Sequence, residues 1–559
     1  MSLAIESSSP QPAPEPSSVA AVAAAGKSTA TPIASSLPRW ICWPAHSTLL
    51  LAAVGLIFLY LARVPLWHSD IWDHLNYGRH ILNTGSIART EPLLTICEGV
   101  RMVNLPWLAE IAFACIEQST GLTGLQFTAA LLAALSVLII GFAAVHISRS
   151  ALTGLLAIAC FYFVNRHELA VLRPQLAVLP IFCLLLSWIL TRPTRLRTAW
   201  FLIPLLFTLW ANLHGSFIVG LMVLTLAAVG RTADVLRSSR SLTLALRDPV
   251  LHQLLLLTQL SAAAVLINPF GPAAYAEVFS VASHPNLANM LEWNALTLRI
   301  PAGQRAAALA VLATLALGLT PRRVRSAEIL ILLATALMAA WSARMLNWFT
   351  PAAAVIASIH LGAIARQFLR HRRTAAAIAA PAALPADNSE TETPAEDFHQ
   401  PPQWIWTAAS FGIIWLCLAL TPLTTKLLRG TEPAETQLVS AETPVAAVEW
   451  LNSQPSHPRG MAFAPAEWAG YLIHRGPQQI RPLVNIHAHL IPEEAWNDYM
   501  RLTHGPADWD GLLNEYGINL ALVNRRSHAQ LVKRMKESTD WTPAWEDRQA
   551  VIFLRKQPI

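Results

Sequence analysis

Long apolar runs alternate with short polar segments over most of this 559-residue chain. A helix that crosses a bilayer needs roughly 20 mainly apolar residues, and most of these runs approach that length. The pattern therefore predicts about eleven membrane-spanning helices. They are expected to begin near Ser47, Leu122, Ala151, Pro174, Ala199, Gly215, Val250, Ala306, Ala327, Trp348 and Trp404.

The composition excludes an ordinary soluble protein. Hydrophobic residues make up 54% of the chain, charged residues only 13%, and the mean hydropathy is +0.42. Soluble domains carry about 25% charged residues, and a single apolar core stops growing near roughly 250–300 residues. The surplus apolar surface must face lipid. The basic residues lie between the apolar runs rather than in one stripe, so no nucleic-acid partner is predicted.

Arginine-rich loops alternate with arginine-poor loops along the chain. Cytoplasmic loops of membrane proteins are enriched in Lys and Arg, so we predict a cytoplasmic N-terminus, an odd number of crossings and an outer C-terminal domain. The arginine-rich loops contain Arg192, Arg195 and Arg197; Arg231, Arg237, Arg240 and Arg247; Arg322, Arg323 and Arg325; and Arg366, Arg370, Arg372 and Arg373.

The predicted fold class is a multi-pass α-helical membrane protein with a small C-terminal α/β soluble domain. The predicted order is a disordered cytoplasmic tail at 1–46, a transmembrane domain at 47–373 with long outer loops at 67–118 and 268–304, a cytoplasmic linker at 374–402, a last span at 403–422 and an outer α/β domain at 442–559. Strands of that domain are predicted at Gly460–Ala464, Pro482–Ile486, Ile518–Val523 and Ala550–Leu554.

The first outer loop opens with a cluster of ionisable residues. If this segment is helical, Asp70, Asp73 and His74 share one face, at spacings of three and four. Two carboxylates that lie close together raise the pKa of one of them, which suits proton acceptance. The alternative is an amphipathic helix at the membrane interface with solvated acids, because Trp67 and Trp72 are also typical of that position.

Other polar groups converge on the same membrane face. Pro106 at a helix start places Glu110 one turn on. The alternative is that this carboxylate only interacts favourably with the positive end of the helix dipole. Taken singly, several of these groups are typical of ordinary turns; taken together, they predict a site at the outer leaflet. The candidate catalytic residues are Asp70, Asp73 and Glu110, and the candidate substrate-binding residues are His74, Asn104, Arg173, Asn212, His214, Glu292 and Arg344.

Carboxylates beside arginines at a membrane surface suit a lipid phosphate. Arg makes bidentate contacts to phosphate and stabilises it as a leaving group, and an aspartate can take the proton from an attacking hydroxyl or amine. Direct displacement at an anomeric carbon would invert its configuration. His487 and His489 would share one face of a strand, but no third ligand follows at a clear spacing, so no metal site is predicted.

The motifs resemble those of bacterial GT-C-like membrane glycosyltransferases. Their pattern Asp-x-Trp-x-His-Leu-x-x-Gly is matched by Asp70, Trp72, His74, Leu75 and Gly78, and Val-Asn-x-x-Trp-Leu-Ala-Glu by Val103, Asn104, Trp107, Leu108, Ala109 and Glu110. Arg173-Pro174-Gln175, Asn212 with His214-Gly215, and Glu292-Trp293 match further elements, and Glu467-Trp468-Ala469-Gly470-Tyr471 is similar to a Trp-Gly-Gly-Tyr segment. The resemblance implies that Asp70 is the catalytic aspartate of the first loop.

The chain departs from this group at two places. Leu105-Pro106 stands where the group often has His-Glu, and Asn485 and His487 stand where it tends to have Asp and Arg. The first departure leaves the use of a divalent cation open. The second weakens the expectation that the C-terminal domain binds the acceptor.

These observations favour an inverting glycosyltransferase of the bacterial inner membrane. It would move a sugar from a polyprenyl-phosphate donor to an acceptor on the outer face, with Arg173 and Arg344 as the phosphate contacts. The alternatives are a transporter of lipid-linked saccharides and a non-catalytic scaffold with envelope-assembly partners. Transport requires polar residues through the spans, and His252 and Gln253 are the main ones near the inner side.

Overall fold

The computed structural model describes residues 43–191, 197–379, 403–456, 458 and 460–558. Most of the predicted tail and most of the predicted linker lie outside the described residues.

Apolar helices make up most of the chain up to residue 429. Most of them begin within a few residues of a predicted span. Their bounds are α1 (Ala45–Leu61), α2 (Ile71–Thr84), α3 (Trp107–Ser148), α4 (Ala151–Asn165), α5 (Pro174–Thr191), α6 (Ala199–Leu213), α7 (Phe217–Ser239), α8 (Leu242–Leu246), α9 (Pro249–Val265), α10 (Ala273–Ala282), α11 (Pro301–Leu319), α12 (Ser326–Trp341), α13 (Leu346–Ala379), α14 (Gln403–Ala419) and α15 (Pro422–Arg429).

Several of these helices are suited to cross a membrane. Among the described residues, 5 helices are long and apolar enough to span, or 6 if the bent pair α14 and α15 forms one span. The remaining predicted spans are shorter apolar helices of 10–17 residues. The chain is therefore a membrane protein, and the number of eleven spans stays a prediction.

Two helix breaks change the predicted boundaries. α3 is interrupted at Gly121, whose φ of 69° lies in the left-handed region that glycine adopts readily. The predicted span at Leu122 is the part of α3 after this break, and the part before it carries Glu110. α14 and α15 meet at 70°, where the Thr421 side chain accepts from the backbone N–H of Thr424 and caps α15. α13 continues to Ala379, so the start of the predicted linker is helical.

The two predicted outer loops contain their own short elements. The first contains α2, and the second contains α10 and two 3-10 turns, Pro285–Asn289 and Leu291–Trp293. Both loops come together at one end of the helix bundle, where they contact the C-terminal unit.

The C-terminal unit is a small α/β structure. Its elements are α16 (Glu435–Leu438), α17 (Val445–Ser453), β1 (Met461–Phe463), α18 (Ala466–Arg475), β2 (Arg481–Pro482), α19 (Glu493–Thr503), α20 (Trp509–Glu515), β3 (Leu520–Asn524), α21 (Ala529–Glu537), β4 (Trp541–Glu546) and β5 (Ala550–Arg555). The sheet has the order β2-β1-β3-β5-β4, with β1 parallel to β2 and β3, and β5 antiparallel to β3 and β4.

The strand predicted at Pro482–Ile486 is wrong beyond Pro482. The Asn485 side chain accepts a hydrogen bond from the backbone N–H of His487 at 3.0 Å, which is local turn chemistry that competes with strand pairing. His487 and His489 consequently lie at a 3-10 turn rather than on one face of a strand.

Helix α18 joins the C-terminal unit to the membrane domain by packing on α2. The Trp72 ring lies 4.9 Å from the Tyr471 ring, edge to face, and both side chains are buried. Asn76 Nδ2 donates to the backbone carbonyl of Gly470 at 2.9 Å. These contacts place the C-terminal unit over the first loop.

Candidate active site

A cavity of about 1000 Å³ lies between the ends of the membrane helices and the C-terminal unit. Most of its wall is apolar. Its charged groups lie near the N-terminal ends of α2, α5 and α13. Seven of the candidate residues line it: Asp70, His74, Asn104, Arg173, His214, Glu292 and Arg344. The other three candidates, Asp73, Glu110 and Asn212, do not.

Asp70 stands immediately before α2 and turns its carboxylate toward the cavity. Aspartate often caps a helix in this position, but this side chain makes no capping hydrogen bond. Instead Oδ1 accepts from Ser69 Oγ at 2.8 Å, and Oδ2 lies 3.5 Å from Nη1 of Arg173. Burial acts to raise the pKa of Asp70, but the charges of Arg173 and Arg344 outweigh it and hold this pKa below its usual value. Asp70 is therefore an ionised carboxylate at neutral pH.

Arg173 lies at the centre of the charged cluster, with 6% of its side chain exposed. Pro174 begins α5, so the arginine is held at the helix start. Its Nη1 donates to Glu292 Oε2 at 2.7 Å, and its Nη2 donates to Glu168. Burial opposes ionisation of Glu168, but Arg173 lowers the pKa of this carboxyl. Arg173 is thus surrounded by three carboxylates.

Arg344 is the more accessible arginine of the site, with 22% of its side chain exposed. It donates to Glu292 and lies over the Trp293 ring, 5.2 Å from its centroid. Gln175 Nε2 donates to the backbone carbonyl of Arg344 at 3.3 Å, which ties the start of α5 to the turn before α13. The guanidinium of Arg344 has N–H donors left for an anionic ligand.

Glu110 lies behind the cavity wall and is fully buried. It accepts from Asn104 Nδ2 at 2.6 Å, and its second oxygen lies 2.9 Å from Nδ1 of His74. Because a carboxylate only accepts, Nδ1 of His74 carries the proton of this hydrogen bond. Glu110 therefore orients His74 and Asn104 and does not reach the cavity itself.

Asp73 faces the C-terminal unit instead of the cavity. A Cβ on Gly470 would lie 2.7 Å from Asp73 Oδ1, which shows how closely α18 approaches this carboxyl. Burial, and then the charges of Glu91 and Asp70, raise the pKa of Asp73 well above its usual value. Asp70 and His74 therefore line the cavity and Asp73 does not, so the three side chains predicted to share one face have different surroundings.

Asn212 lies in the last turn of α6, and His214 lies in the turn between α6 and α7. Asn212 Nδ2 donates to the carbonyls of Thr208 and Ile267, both at 2.8 Å, and Oδ1 accepts from Trp107 Nε1 at 2.9 Å, so this amide is used in packing. His214 Nδ1 accepts from the backbone N–H of Ser216 at 3.1 Å. Burial, and then the nearby charge of Arg344, lower the pKa of His214, so its ring is neutral.

The fold also brings to this site residues that are not among the ten candidates. Glu168 binds Arg173, and its place beside Arg166 and His167 between two apolar runs was the available signal. The C-terminal unit also contributes to the wall, with His487 packed 5.4 Å from the ring of His74. Its wall residues include Glu467, Ile486, His487, His489, Trp496, Tyr499 and His528. No local pattern in the sequence identifies these residues as neighbours of the first loop.

Comparison with known proteins concerns the fold. No family model matches the sequence, and no curated protein matches it. An oligosaccharyltransferase from Archaeoglobus fulgidus in its apo form is similar in structure, with a TM-score of 0.52 and 12% sequence identity, over 87% of this chain and 71% of that chain. The arabinofuranosyltransferase AftD from mycobacteria gives a TM-score of 0.51 and 12% identity, over 94% of this chain and 40% of that chain. The chain has a GT-C-like fold.

A divalent cation does not fit the carboxylates of this site beside Arg173. Among the described residues, no three His, Cys, Asp or Glu side chains, as they are placed here, form a group that could hold a metal ion. Asp70, Glu168 and Glu292 are each paired with a guanidinium, and that positive charge fills the space between them.

Proposed function

We propose that this protein is a membrane glycosyltransferase that uses a polyprenyl-phosphate sugar as donor and inverts the anomeric carbon. One observation carries this proposal: the ionised carboxylate of Asp70 and the accessible guanidinium of Arg344 line one largely apolar cavity beside the membrane helices. Two proteins with a similar fold are an oligosaccharyltransferase and an arabinofuranosyltransferase, and both names support the proposal of a glycosyltransferase.

The proposed reaction is a single displacement. The hydroxyl or amine of the acceptor attacks the anomeric carbon, and Asp70 takes its proton. The bond between that carbon and the phosphate oxygen breaks, and the polyprenyl phosphate leaves with the bonding electrons. Arg344 donates to the phosphate as its negative charge develops. Arg173 was expected to share this role, but its carboxylate partners favour Arg344 alone.

The distribution of arginine supports a cavity on the outer face of the bacterial inner membrane. α7 begins beside the cavity residue Ser216 and ends beside Arg237, and α13 begins beside Arg344 and ends in an arginine-rich segment. The cavity and the arginine-rich segments are therefore at opposite helix ends. Since the arginine-rich end is normally cytoplasmic, the cavity and the C-terminal unit would lie outside and the N-terminus inside.

The leaving group itself is the first probe, because it does not require the sugar to be known. We expect purified protein to bind a short-chain polyprenyl phosphate, and Arg344→Gln to weaken binding roughly 10- to 100-fold through loss of a charge-assisted hydrogen bond. Arg299→Gln makes the same charge change at an exposed position of the second long loop, away from the cavity wall, and should bind like the wild type. Asp70→Asn should bind at least as well as the wild type.

A panel of polyprenyl-phosphate sugars then tests turnover. We expect Asp70→Asn to lower kcat by roughly 10²- to 10⁴-fold, because its amide cannot accept the proton. Full activity of Asp70→Asn would remove Asp70 from the mechanism. If the folded wild type binds no polyprenyl phosphate, the enzyme is refuted and a scaffold becomes the better description.

A further inference from the structure

The guanidinium of Arg173 gathers carboxylates from three separate segments of the chain. Asp70 precedes α2, Glu168 lies in the 3-10 turn before α5, and Glu292 lies in a 3-10 turn of the second long loop. Nη1 is 3.5 Å from Asp70 and 2.7 Å from Glu292, and Nη2 contacts Glu168. Three carboxylates that converge in this way repel one another unless a cation lies between them.

The geometry favours a guanidinium over a metal ion as that cation. A hard divalent cation requires several oxygens at roughly 2.0–2.6 Å around one point. Arg173 instead separates the three carboxylates and satisfies them with planar N–H donors directed at each one. A metal ion in the same place would be forced against a fixed positive charge, and moving Arg173 away would break two close ion pairs of a buried side chain.

The three contacts of Arg173 are unequal. The pairs with Glu168 and Glu292 are close, whereas the Asp70 contact is the longest of the three. Asp70 therefore feels the positive charge while its carboxylate keeps room for another hydrogen bond on the cavity side.

We infer that Arg173 serves as a built-in cation of this GT-C-like site, in the position between three carboxylates that a divalent metal ion would otherwise take. Its contacts are with carboxylates, so it acts as a positioning residue that keeps the proposed base ionised and directed at the cavity. This inference rests on the proposed function for the role of Asp70. Its central claim, that the guanidinium occupies a cation position, concerns binding alone.

Binding of Mn²⁺ to the purified full chain, followed by electron paramagnetic resonance, tests the claim without any substrate. We expect the wild type to bind no Mn²⁺ that depends on Asp70. Arg173→Gln removes the charge and should bind one Mn²⁺ per protein, and Asp70→Asn in that background should abolish the binding. Arg173→Lys keeps the charge and should bind none.

Arg89→Gln is the matched control for the charge change. Arg89 contacts the carbonyl of Pro269 and the Phe270 ring and touches none of the three carboxylates, so its variant should bind no Mn²⁺. Two results would overturn the inference: Mn²⁺ bound by the wild type through Asp70, or no Mn²⁺ bound by folded Arg173→Gln. Binding of Mn²⁺ by the wild type is measured without any variant of Arg173. It can therefore still overturn the inference if Arg173→Gln fails to fold.

Kinetics separate positioning from a general effect on folding. We expect Arg173→Gln to lower kcat at least tenfold while its affinity for a short-chain polyprenyl phosphate stays within about threefold of the wild type. Arg173→Lys should restore most of kcat. If the wild type binds no polyprenyl phosphate at all, the proposed function fails, while the Mn²⁺ result still decides whether Arg173 occupies a cation position.

Discussion

Asp70 and Asp73 lie three positions apart in the sequence but have opposite pKa shifts. Asp70 lies beside Arg173 and Arg344, which lower its pKa against the effect of burial. Asp73 is buried against α18 with Glu91 as its charged neighbour, and its pKa is raised. The difference arises from neighbours that are distant in sequence, so spacing along α2 could not reveal it.

Replacing Asp73 tests this difference between the two aspartates. A carboxyl whose pKa is higher in the folded than in the unfolded protein binds more protons when folded, so stability falls as pH rises above the unfolded value of about 3.8. Asp73→Asn cannot ionise and avoids this loss. We expect its melting temperature to exceed that of the wild type by a margin that grows as the pH rises above that unfolded value.

Turnover gives an independent check on Asp73. Because Asp73 lies outside the cavity, Asp73→Asn should keep most of the activity that Asp70→Asn loses. A margin in melting temperature that does not change with pH, or a loss of activity as large as that of Asp70→Asn, would contradict the assignment.

At the scale of elements, two glycines allow α2 to pack closely against α3 and α18. A Cβ on Gly78 would lie 2.2 Å from the backbone oxygen of Glu110, and one on Gly470 would lie 2.7 Å from Asp73 Oδ1. Each obstacle belongs to a neighbouring helix, and for Gly78 it is backbone that cannot move without displacing α3. Close helix approach therefore explains why small residues occur in both motifs.

Gly78→Ala is expected to destabilise the protein by about 1–3 kcal/mol, because α2 and α3 must separate to admit the methyl group. Gly318→Ala is the matched control: Gly318 is also helical, in α11, and nothing lies within 4 Å of its added Cβ. The control should be neutral or stabilising, since alanine favours helix by about 1 kcal/mol over glycine. Equal melting temperatures for the two variants would argue against close packing at Gly78.

For the whole molecule, the C-terminal unit completes the site by forming one wall of the cavity. It is held from two directions. His474 Nδ1 lies 3.0 Å from Asn76 Oδ1 on α2, and Asn286 Nδ2 of the second loop donates to the carbonyls of Ala488 and Ile491 at 2.8 and 2.9 Å. Both long loops thus attach to the same unit, which couples its position to the shape of the cavity.

Gly470→Ala should weaken this attachment and, through it, ligand binding. The added methyl group meets the backbone and carboxyl of Asp73, so α18 must move away from α2. We expect a lower melting temperature and at least threefold weaker binding of a short-chain polyprenyl phosphate. Gly511→Ala, in α20 with nothing within 4 Å of the added Cβ, should leave binding unchanged and should not lower the melting temperature. Unchanged binding by Gly470→Ala would mean that the C-terminal unit does not shape the cavity.

The sequence by itself determined the membrane class, the approximate helix starts and seven of the polar residues at the cavity. Apolar runs report directly on lipid burial because each residue contributes its own transfer free energy, whatever its distant neighbours are. The motifs of the first loop also marked Asp70, His74 and Asn104, all of which line the cavity.

Only the tertiary structure decided how these residues divide their roles. The surroundings of Arg173 depend on carboxylates from segments more than a hundred residues away, and Glu110 and Asp73 were buried by packing that no local pattern records. The turn at Asn485 likewise replaced a predicted strand through a side-chain contact. Charge pairing and pKa fall off steeply with distance, so they follow from three-dimensional proximity and cannot be read from spacing along the chain.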